Sequence, residues 1–190
     1  MLLFMTPALV MAQAIGLPEN TARIGIGGGA ARMTVDDPDG PTATDYATQP
    51  LTLIYTDWFF GRSRLWSELY YNQARLAATS TRIGQEVQHY GYRASVQWPL
   101  GLDGPLHLWF GGGVDLSRAQ YTLRHTVDQD GFLANRYADR DTFEAGLLLN
   151  INSEWALRQN WSVGAKIEQL VPVAGNVDEL TGLITILYRY

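Results

Sequence analysis

The sequence predicts an all-β fold, an eight-stranded antiparallel up-and-down transmembrane β-barrel. Three observations predict it: the chain ends in a β-strand, charged residues are scarce, and no long apolar segment follows the first fourteen residues. In residues 180–190, Leu180, Ile184 and Ile186 occupy one face, and the strand ends at the aromatic Tyr190. An open strand edge in a soluble domain invites aggregation, whereas a transmembrane barrel removes that edge by closing its last strand onto its first.

The composition of the chain fits such a barrel and excludes several other classes of protein. Charged residues make up 17% of its 190 residues, against about 25% in an average soluble domain, and the mean hydropathy is −0.11. Apolar and polar residues alternate in a lipid-facing barrel, so its hydropathy averages out. The net charge of −5, with no basic stripe, argues against a nucleic-acid partner. The absence of cysteine excludes disulfides, thiolate metal sites and a cysteine nucleophile.

The first fourteen residues have the pattern of a targeting segment. Residues 1–14 are apolar and end in Ala12-Gln-Ala14, the small-x-small pattern of a signal-peptidase site. Because no Lys or Arg precedes the apolar stretch, either the true start lies upstream of Met1 or the segment is a short buried helix. Such a helix would lack a polar face, and we therefore expect a signal peptide at 1–14 and one barrel domain at 15–190.

The rest of the chain divides into eight extended segments. Their predicted bounds are residues 21–35, 49–59, 64–77, 85–98, 106–121, 140–153, 161–171 and 180–190. The alternation is clearest in the fourth segment, where Tyr90, Tyr92 and Val96 oppose His89 and Arg93. Loops of varied length are predicted at 36–48, 79–84, 122–138 and 172–179, and the other connections are tight turns. Loops that alternate with tight turns are typical of membrane barrels, and eight strands match the smallest of them.

Aromatic residues gather at the tight turns and predict a girdle at one end of the barrel. The predicted girdle comprises Trp58, Trp66, Trp98, Trp155, Trp161, Tyr188 and Tyr190. Tryptophan favours a membrane interface because its ring is apolar and its N–H is polar. The alternative is a soluble β-sandwich with these aromatics in its core, where they would lie in mid-strand rather than at turns.

Three features carry a resemblance to a known family. The chain ends in the aromatic Leu187-Tyr-Arg-Tyr190, residues 156–163 form a turn that enters the next strand through Trp161, and a Gly-rich first strand follows the signal peptide. In these features the chain resembles the small outer-membrane β-barrel family of the OmpA/OmpX type over essentially its whole mature length. The resemblance implies a location in the bacterial outer membrane, contact with outer-membrane lipid and lipopolysaccharide, and recognition of the C-terminal strand by the barrel-assembly machinery.

If the apolar faces point to lipid, the opposite faces line the barrel interior. The predicted interior charge network comprises Glu68, Arg93, Asp115, Glu144, Lys166, Glu168 and Arg189. Four acids and three bases pair almost completely, and pairing is required because an unpaired buried charge is costly. We therefore expect a packed polar interior with no large pore. The alternative is a proton or ion path, which would need unpaired groups.

The sequence predicts no catalytic residue, no cofactor and no metal site. None of His89, His107 and His125 has a serine at a spacing that would place both on one strand face, as a lipid-modifying hydrolase would need. The acidic residues 36–40 lack the ligand spacing and the closing Glu of a calcium loop. The Gly-rich residues 25–29 are not followed by the helix that a nucleotide loop requires.

The function predicted from these features is that of a non-enzymatic outer-membrane barrel with a structural or surface-interaction role, adhesin-like or supporting envelope integrity. Its loops at 36–48 and 122–138 would contact an unknown extracellular partner, because function on rigid barrels sits in loops. Two alternatives stay open: an outer-membrane enzyme that modifies lipid A, and a soluble lipocalin-like barrel that binds an apolar ligand.

Overall fold

The computed structural model describes residues 22–100, 106–157 and 160–190. The predicted signal peptide at 1–14 lies outside the described residues. The strands are β1 (Arg23–Val35), β2 (Ala43–Phe60), β3 (Ser63–Leu76), β4 (Gly84–Pro99), β5 (Leu106–Val127), β6 (Leu133–Arg136), β7 (Arg140–Ala156), β8 (Trp161–Ala174) and β9 (Val177–Arg189). Within these ranges, no helix is long and apolar enough to cross a membrane.

Eight of the strands form a closed barrel in which each strand pairs antiparallel with its neighbours along the chain. The order is β1-β2-β3-β4-β5-β7-β8-β9, and the barrel closes where β1 pairs with β9, from Arg23 opposite Arg189 to Val35 opposite Val177. The short β6 pairs only with the far end of β5 and is not part of the wall. The predicted eight-stranded up-and-down barrel is confirmed, and the edge of the last strand is closed by the first.

The two ends of the barrel differ. We call the end that holds Ala22 and Tyr190 the terminal end; β2, β4 and β7 end there and β3, β5 and β8 begin there. The opposite end, which we call the loop end, holds the connections at 36–42, 77–83, 128–139 and 175–176.

Several strands extend further toward the loop end than the sequence predicts. β2 begins at Ala43 rather than at residue 49, and β5 continues into a hairpin with β6, so that 122–138 is only partly a loop. The predicted loop at 172–179 is wrong, because only Gly175 and Asn176 join β8 to β9. Gly175 has a φ of +126°, which side chains disfavour, and the Glu144 carboxylate accepts a hydrogen bond from the Asn176 N–H at 3.2 Å.

A continuous belt of apolar side chains covers the outside of the wall. Each barrel strand contributes to it, and representative members, 40 to 67% exposed, are Ile26, Leu53, Leu69, Tyr92, Val114, Leu149, Ile167 and Ile184. Toward the loop end the belt gives way to exposed ion pairs between neighbouring strands, Arg75 with Glu86 and Arg118 with Asp141. Exposed apolar surface of this extent occurs where a protein meets a membrane or another protein.

The barrel interior is filled by side chains in layers. Near the loop end lies an apolar layer of Ala31, Met33, Val35, Ala43, Ala47, Ala74, Leu76, Val87, Ala119, Tyr121 and Val177. The central layer is polar and charged. Toward the terminal end, Ile54, Trp66 and Leu187 form a second, smaller apolar cluster.

The residues of the predicted girdle do not all lie on the outside of the wall. Trp98, Trp155, Trp161 and Tyr190 are 44 to 53% exposed, and Trp58 and Tyr188 are half-buried. The placement of Trp66 in the girdle is wrong. This side chain is 1% exposed because it shares the inward face of β3 with Glu68, to which its Nε1 donates a hydrogen bond at 2.5 Å. The face of the strand, rather than the nearby turn, decides its position.

Candidate functional site

Arg93 lies at the centre of the barrel interior and binds three carboxylates. It is 1% exposed on the inward face of β4. Its Nε donates to Asp115 at 3.0 Å, its Nη1 to Glu168 at 3.3 Å and its Nη2 to Glu179 at 2.5 Å. The guanidinium also lies 3.6 Å from the centre of the Tyr70 ring, a favourable cation–π distance. A single cation therefore connects β4 with β5, β8 and β9 across the barrel.

Lys166 is a second buried cation in the same network. Its Nζ lies 2.6 Å from the carboxylate of Glu68 and 3.0 Å from that of Glu168. Glu168 also accepts a hydrogen bond from Asn150 at 3.2 Å. Because Glu168 contacts both Arg93 and Lys166, the two cations belong to one connected set of ion pairs. Such a set stabilises a buried site only when most of its polar atoms have partners.

His89, Ser117 and Glu179 form a chain of hydrogen bonds inside this network. The Nε2 of His89 lies 2.9 Å from Ser117 Oγ, and its Nδ1 lies 3.0 Å from Glu179 Oε1. The order serine, histidine, acid is that of a hydrolytic triad. The expectation that no histidine and serine converge is wrong, because the two residues lie on neighbouring strands, where Ser117 of β5 stands opposite Gly91 of β4.

This trio is enclosed by the packed interior. His89 and Glu179 are 0% exposed and Ser117 is 3% exposed. Ser117 donates a hydrogen bond to Asp115 at 2.5 Å, so its hydroxyl proton points away from the histidine. A serine nucleophile needs room for a reacting carbonyl about 3 Å from its oxygen, and Ser117 borders neither the cavity at the terminal end nor the groove at the loop end. The arrangement can hold the wall together, but a substrate has no way to reach it without opening the barrel.

The structure places all but one of the predicted network residues deep in the interior. Those at most 3% exposed are Glu68, Arg93, Asp115, Glu144, Lys166 and Glu168. Glu144 lies apart from the others, near the loop end, where it accepts a hydrogen bond from the Tyr121 hydroxyl at 2.9 Å. Arg189 is half-buried at the terminal end, opposite Arg23 of β1. The predicted set is therefore divided between the centre and the two ends of the barrel.

Several buried charged residues were missed by the sequence analysis. Arg64, at the start of β3, donates a hydrogen bond through Nη1 to Glu154 of β7 at 2.7 Å. Glu179, which the sequence places in a loop, accepts hydrogen bonds from Asn72 at 2.8 and 2.9 Å. Strand alternation could have found Arg64, which lies two positions from Trp66 on the same inward face. With these residues the interior holds more carboxylates than predicted. Some of them, such as that of Glu179, accept hydrogen bonds from neutral side chains.

A fourth buried cation, Arg124, closes the loop end. It lies where the pairing of β5 with β4 shifts register and is 3% exposed. Its Nη2 donates to Asp37 at 2.8 Å and to Asp39 at 2.7 Å, and its Nη1 donates to the carbonyl oxygen of Ala138 at 2.7 Å. The first loop is thereby tied to the β5–β6 hairpin across the mouth of the barrel.

Backbone hydrogen bonds join the remaining connections to this cap. The Asp36 N–H donates to the carbonyl oxygen of Asn176 at 2.9 Å, and the Val127 N–H donates to that of Thr79 at 3.3 Å. The connections at 36–42, 77–83 and 175–176 are therefore bonded to one another or to β5. The loop end is a structured cap rather than a set of independent loops.

The β5–β6 hairpin carries an open groove of about 700 Å³ on this cap. Leu123, which borders the groove, has a φ of +56° and is 63% exposed. Phe132 and Leu133 on the same hairpin are 71 and 52% exposed. Apolar side chains left in water and a backbone in the left-handed region are both unfavourable, and such features concentrate at binding sites. The hairpin is the best candidate contact surface of the cap.

Comparison with known proteins bears on the fold. No family model matches the chain, and no curated protein matches it. Solved structures do match. They include the attachment invasion locus protein Ail of Yersinia pestis, with 13% identity, a TM-score of 0.54, and coverage of 89% of this chain and 99% of Ail. The Neisserial surface protein A matches with 15% identity, a TM-score of 0.55, and coverage of 89 and 97%.

A third solved structure is the outer membrane protein OprG of Pseudomonas aeruginosa. It has 14% identity, a TM-score of 0.61, and coverage of 90% of this chain and 97% of OprG. The chain has the fold of the small outer-membrane β-barrels. At such identities the likeness concerns the fold alone.

Proposed function

We propose that the chain is a bacterial outer-membrane protein that spans the membrane as a closed barrel and contacts its surroundings through the cap. The observation that carries the proposal is the contrast between the two faces of the wall, an exposed apolar belt outside and a hydrogen-bonded, charged interior. A lipid-facing barrel has this arrangement because its outer face is solvated by acyl chains. A soluble lipocalin-like barrel would place its apolar side chains around an internal ligand instead.

The two ends of the barrel support an orientation. The terminal end, with exposed Trp98, Trp155 and Trp161 at a membrane interface, would face the periplasm, and the cap would face the cell exterior, since membrane barrels have their short turns in the periplasm and their longer loops outside. The belt would then contact lipid and, in the outer leaflet, lipopolysaccharide. The aromatic end of β9 would be the part that the barrel-assembly machinery recognises.

The packed interior supports a structural role rather than transport. Met33, Val35, Val87 and Val177 are at most 1% exposed in the apolar layer, and Arg124 closes the cap above them. An ion that crossed the barrel would have to pass this layer and the Arg93 network. We therefore propose that the barrel is closed and does not conduct ions steadily.

The location and the closed interior can be tested together. Membrane fractionation is expected to recover the protein in the outer membrane, with a folded band that shifts on a gel after heating, and planar bilayers with the purified protein are expected to show no stable single-channel currents. Recovery in a soluble fraction would overturn the membrane proposal, and stable currents would overturn the closed interior.

We propose further that the barrel is not an enzyme. The support is the burial of Ser117, His89 and Glu179, the one serine–histidine–acid arrangement that the described residues form by hydrogen bonds. The same cells used for fractionation serve as the test: mass spectra of their lipid A are expected to be identical with and without the protein. A modified lipid A that disappears in a Ser117→Ala variant would instead establish a hydrolase.

Surface interaction would centre on the β5–β6 hairpin. Ail has been solved in complex with the heparin analogue sucrose octasulfate, but a polyanion is poorly matched to this cap. Its first loop holds Asp36, Asp37 and Asp39, its hairpin holds Asp128 and Asp130, and Arg124 is already bound to carboxylates. The exposed apolar residues of the hairpin favour a partner with an apolar contact surface.

The hairpin can be tested with a double substitution. In cells that display the protein, Phe132→Ser with Leu133→Ser is expected to lower adherence to host-cell or matrix surfaces at least several-fold while leaving the heat-shifted gel band unchanged, because both side chains are exposed. Tyr46→Ser is the control, since Tyr46 is 77% exposed but lies on β2, away from the hairpin. Equal adherence of the native protein and the double variant would exclude the hairpin.

A further inference from the structure

A small cavity opens inside the terminal end of the barrel. Its volume is about 20 Å³, and it is lined by Arg23, Thr56, Asp57, Trp58, Arg64 and Trp109. A cavity of this size holds one small solute, since about 10–15 Å³ is enough for one water. A tetrahedral oxyanion such as sulfate or phosphate is too large. The residues around the cavity decide which small solute it would hold.

Two buried donors at this cavity have no acceptor among the residues that the structure describes. Arg64 is 4% exposed, and its Nε and Nη1 bind Gln97 and Glu154 at 2.9 and 2.7 Å, but its Nη2 has no hydrogen-bond partner. Trp109 is 7% exposed, and its Nε1 also has no partner. The guanidinium lies 4.0 Å from the centre of the Trp109 ring. Buried donors without partners are rare and costly, so two of them beside one cavity indicate an occupant that accepts hydrogen bonds.

The charges around the cavity favour an anion over a water molecule. Arg23 and Arg64 both pair with the single carboxylate of Glu154, which also accepts a hydrogen bond from Ser162 at 2.8 Å. Two cations thus share one anion in a largely buried site, where an unbalanced charge is expensive. A neutral water would satisfy the donors but leave the two guanidinium groups sharing the one carboxylate of Glu154.

Asp57 is the other carboxylate at the cavity, and it is engaged elsewhere. Its oxygens accept hydrogen bonds from the Tyr55 hydroxyl at 3.2 Å and from the Trp58 N–H at 2.7 Å. Tyr55 is 39% exposed on the outer face of the wall, so this carboxylate is directed toward the outside. It reduces the positive potential of the cavity without supplying the missing acceptor.

We propose that this cavity binds a single halide-sized monovalent anion, chloride in the cell, held by Arg64 Nη2 and the Trp109 N–H. The bound anion would complete the coordination of Arg64 and fix the terminal end of the interior, where β1, β3, β5 and β7 meet. The site is independent of the proposed surface role, because it lies at the opposite end of the barrel from the cap.

Bromide provides a direct probe. Crystals of the native protein soaked in sodium bromide are expected to show an anomalous peak within hydrogen-bond distance of Arg64 Nη2 and Trp109 Nε1. In detergent, the thermal unfolding midpoint is expected to be higher in sodium chloride or bromide than in sodium gluconate at equal ionic strength. A cavity that holds only water, with no anomalous peak and no difference between the salts, would overturn the proposal.

Three variants separate anion binding from folding. Trp109→Phe keeps the ring over Arg64 but removes one donor, and it is expected to weaken halide affinity about tenfold, the effect of one hydrogen bond. Asp57→Asn is expected to strengthen halide binding, because it removes the repelling charge at the cavity. Trp98→Phe, on the outer wall, is the control and is expected to keep the native halide dependence. Unchanged halide dependence in both Trp109→Phe and Asp57→Asn would also overturn the proposal.

Discussion

Replacing Arg93 with methionine is expected to lower the free energy of unfolding by about 3–5 kcal/mol, the usual cost of removing one partner from a buried ion pair. Methionine keeps much of the length of the side chain, so the main change is the loss of charge. Glu168 would keep Lys166, and Glu179 would keep its contact with His89. Among the described ion pairs Asp115 has Arg93 alone, so its carboxylate would remain buried with hydrogen bonds from Tyr70 and Ser117 but without a cation.

The measurement is urea-induced unfolding in detergent micelles, followed by tryptophan fluorescence. Arg118→Met is the matched control, because Arg118 pairs with Asp141 on the exposed outer wall and exposed pairs contribute little to stability. Adding Asp115→Asn to Arg93→Met should restore part of the lost stability by removing the orphaned charge. If Arg93→Met unfolded at the same urea concentration as the native protein, the network would not be what holds the strands together.

Strand alternation predicted the barrel strands well but failed at the loop end. The fourth strand was predicted at 85–98 and is observed as Gly84–Pro99, because inward and outward residues differ in polarity over most of its length, from His89 onward. In β2 the segment from Ala43 carries small and polar residues on both faces, so alternation gives no signal there. The turn at 175–176 depends on Glu144, which precedes Asn176 by 32 residues and meets it only in the folded barrel.

The sequence predicts which charged residues face the barrel interior, but not which of them contact one another. Alternation alone places Arg93, Lys166 and Glu168 on inward faces. It cannot tell which of them meet, since Arg93 and Glu179 are 86 residues apart and come together only through barrel closure. The contact between His89 and Ser117 was missed because it depends on the register between β4 and β5, which alternation within one strand does not give. The small cavity at the terminal end depends on which donors remain without acceptors after packing, and no sequence pattern records that.

Two glycines where β1 pairs with β9 are expected to respond in opposite ways to replacement by alanine, because one is crowded by backbone atoms and the other is not. A Cβ atom built on Gly29 would overlap the carbonyl oxygen of Gly182 and lie 3.0 Å from the Cα of Leu183. Gly29 also lies beside the register shift between β1 and β2. A Cβ on Gly182, by contrast, would meet no atom within 4 Å, because it would point away from the wall.

The same substitution is therefore expected to act with opposite sign at the two positions. Gly182→Ala should stabilise the barrel by about 0.5–1 kcal/mol, since it reduces the conformational freedom of the unfolded chain without a steric cost. Gly29→Ala should destabilise it by about 1–3 kcal/mol, the range for overpacking, because backbone of β9 rather than a flexible side chain must move. The urea midpoints of the two variants measure both effects, and the midpoint of the native protein is expected to lie between them. If Gly29→Ala were as stable as Gly182→Ala, the contact between the first and last strands would be looser than the described β1–β9 pairing.

The same two variants are expected to differ in their rate of refolding. Pairing of β1 with β9 closes the barrel, so the steric defect at Gly29 should slow formation of the heat-shifted band during refolding. Gly182→Ala should leave that rate unchanged.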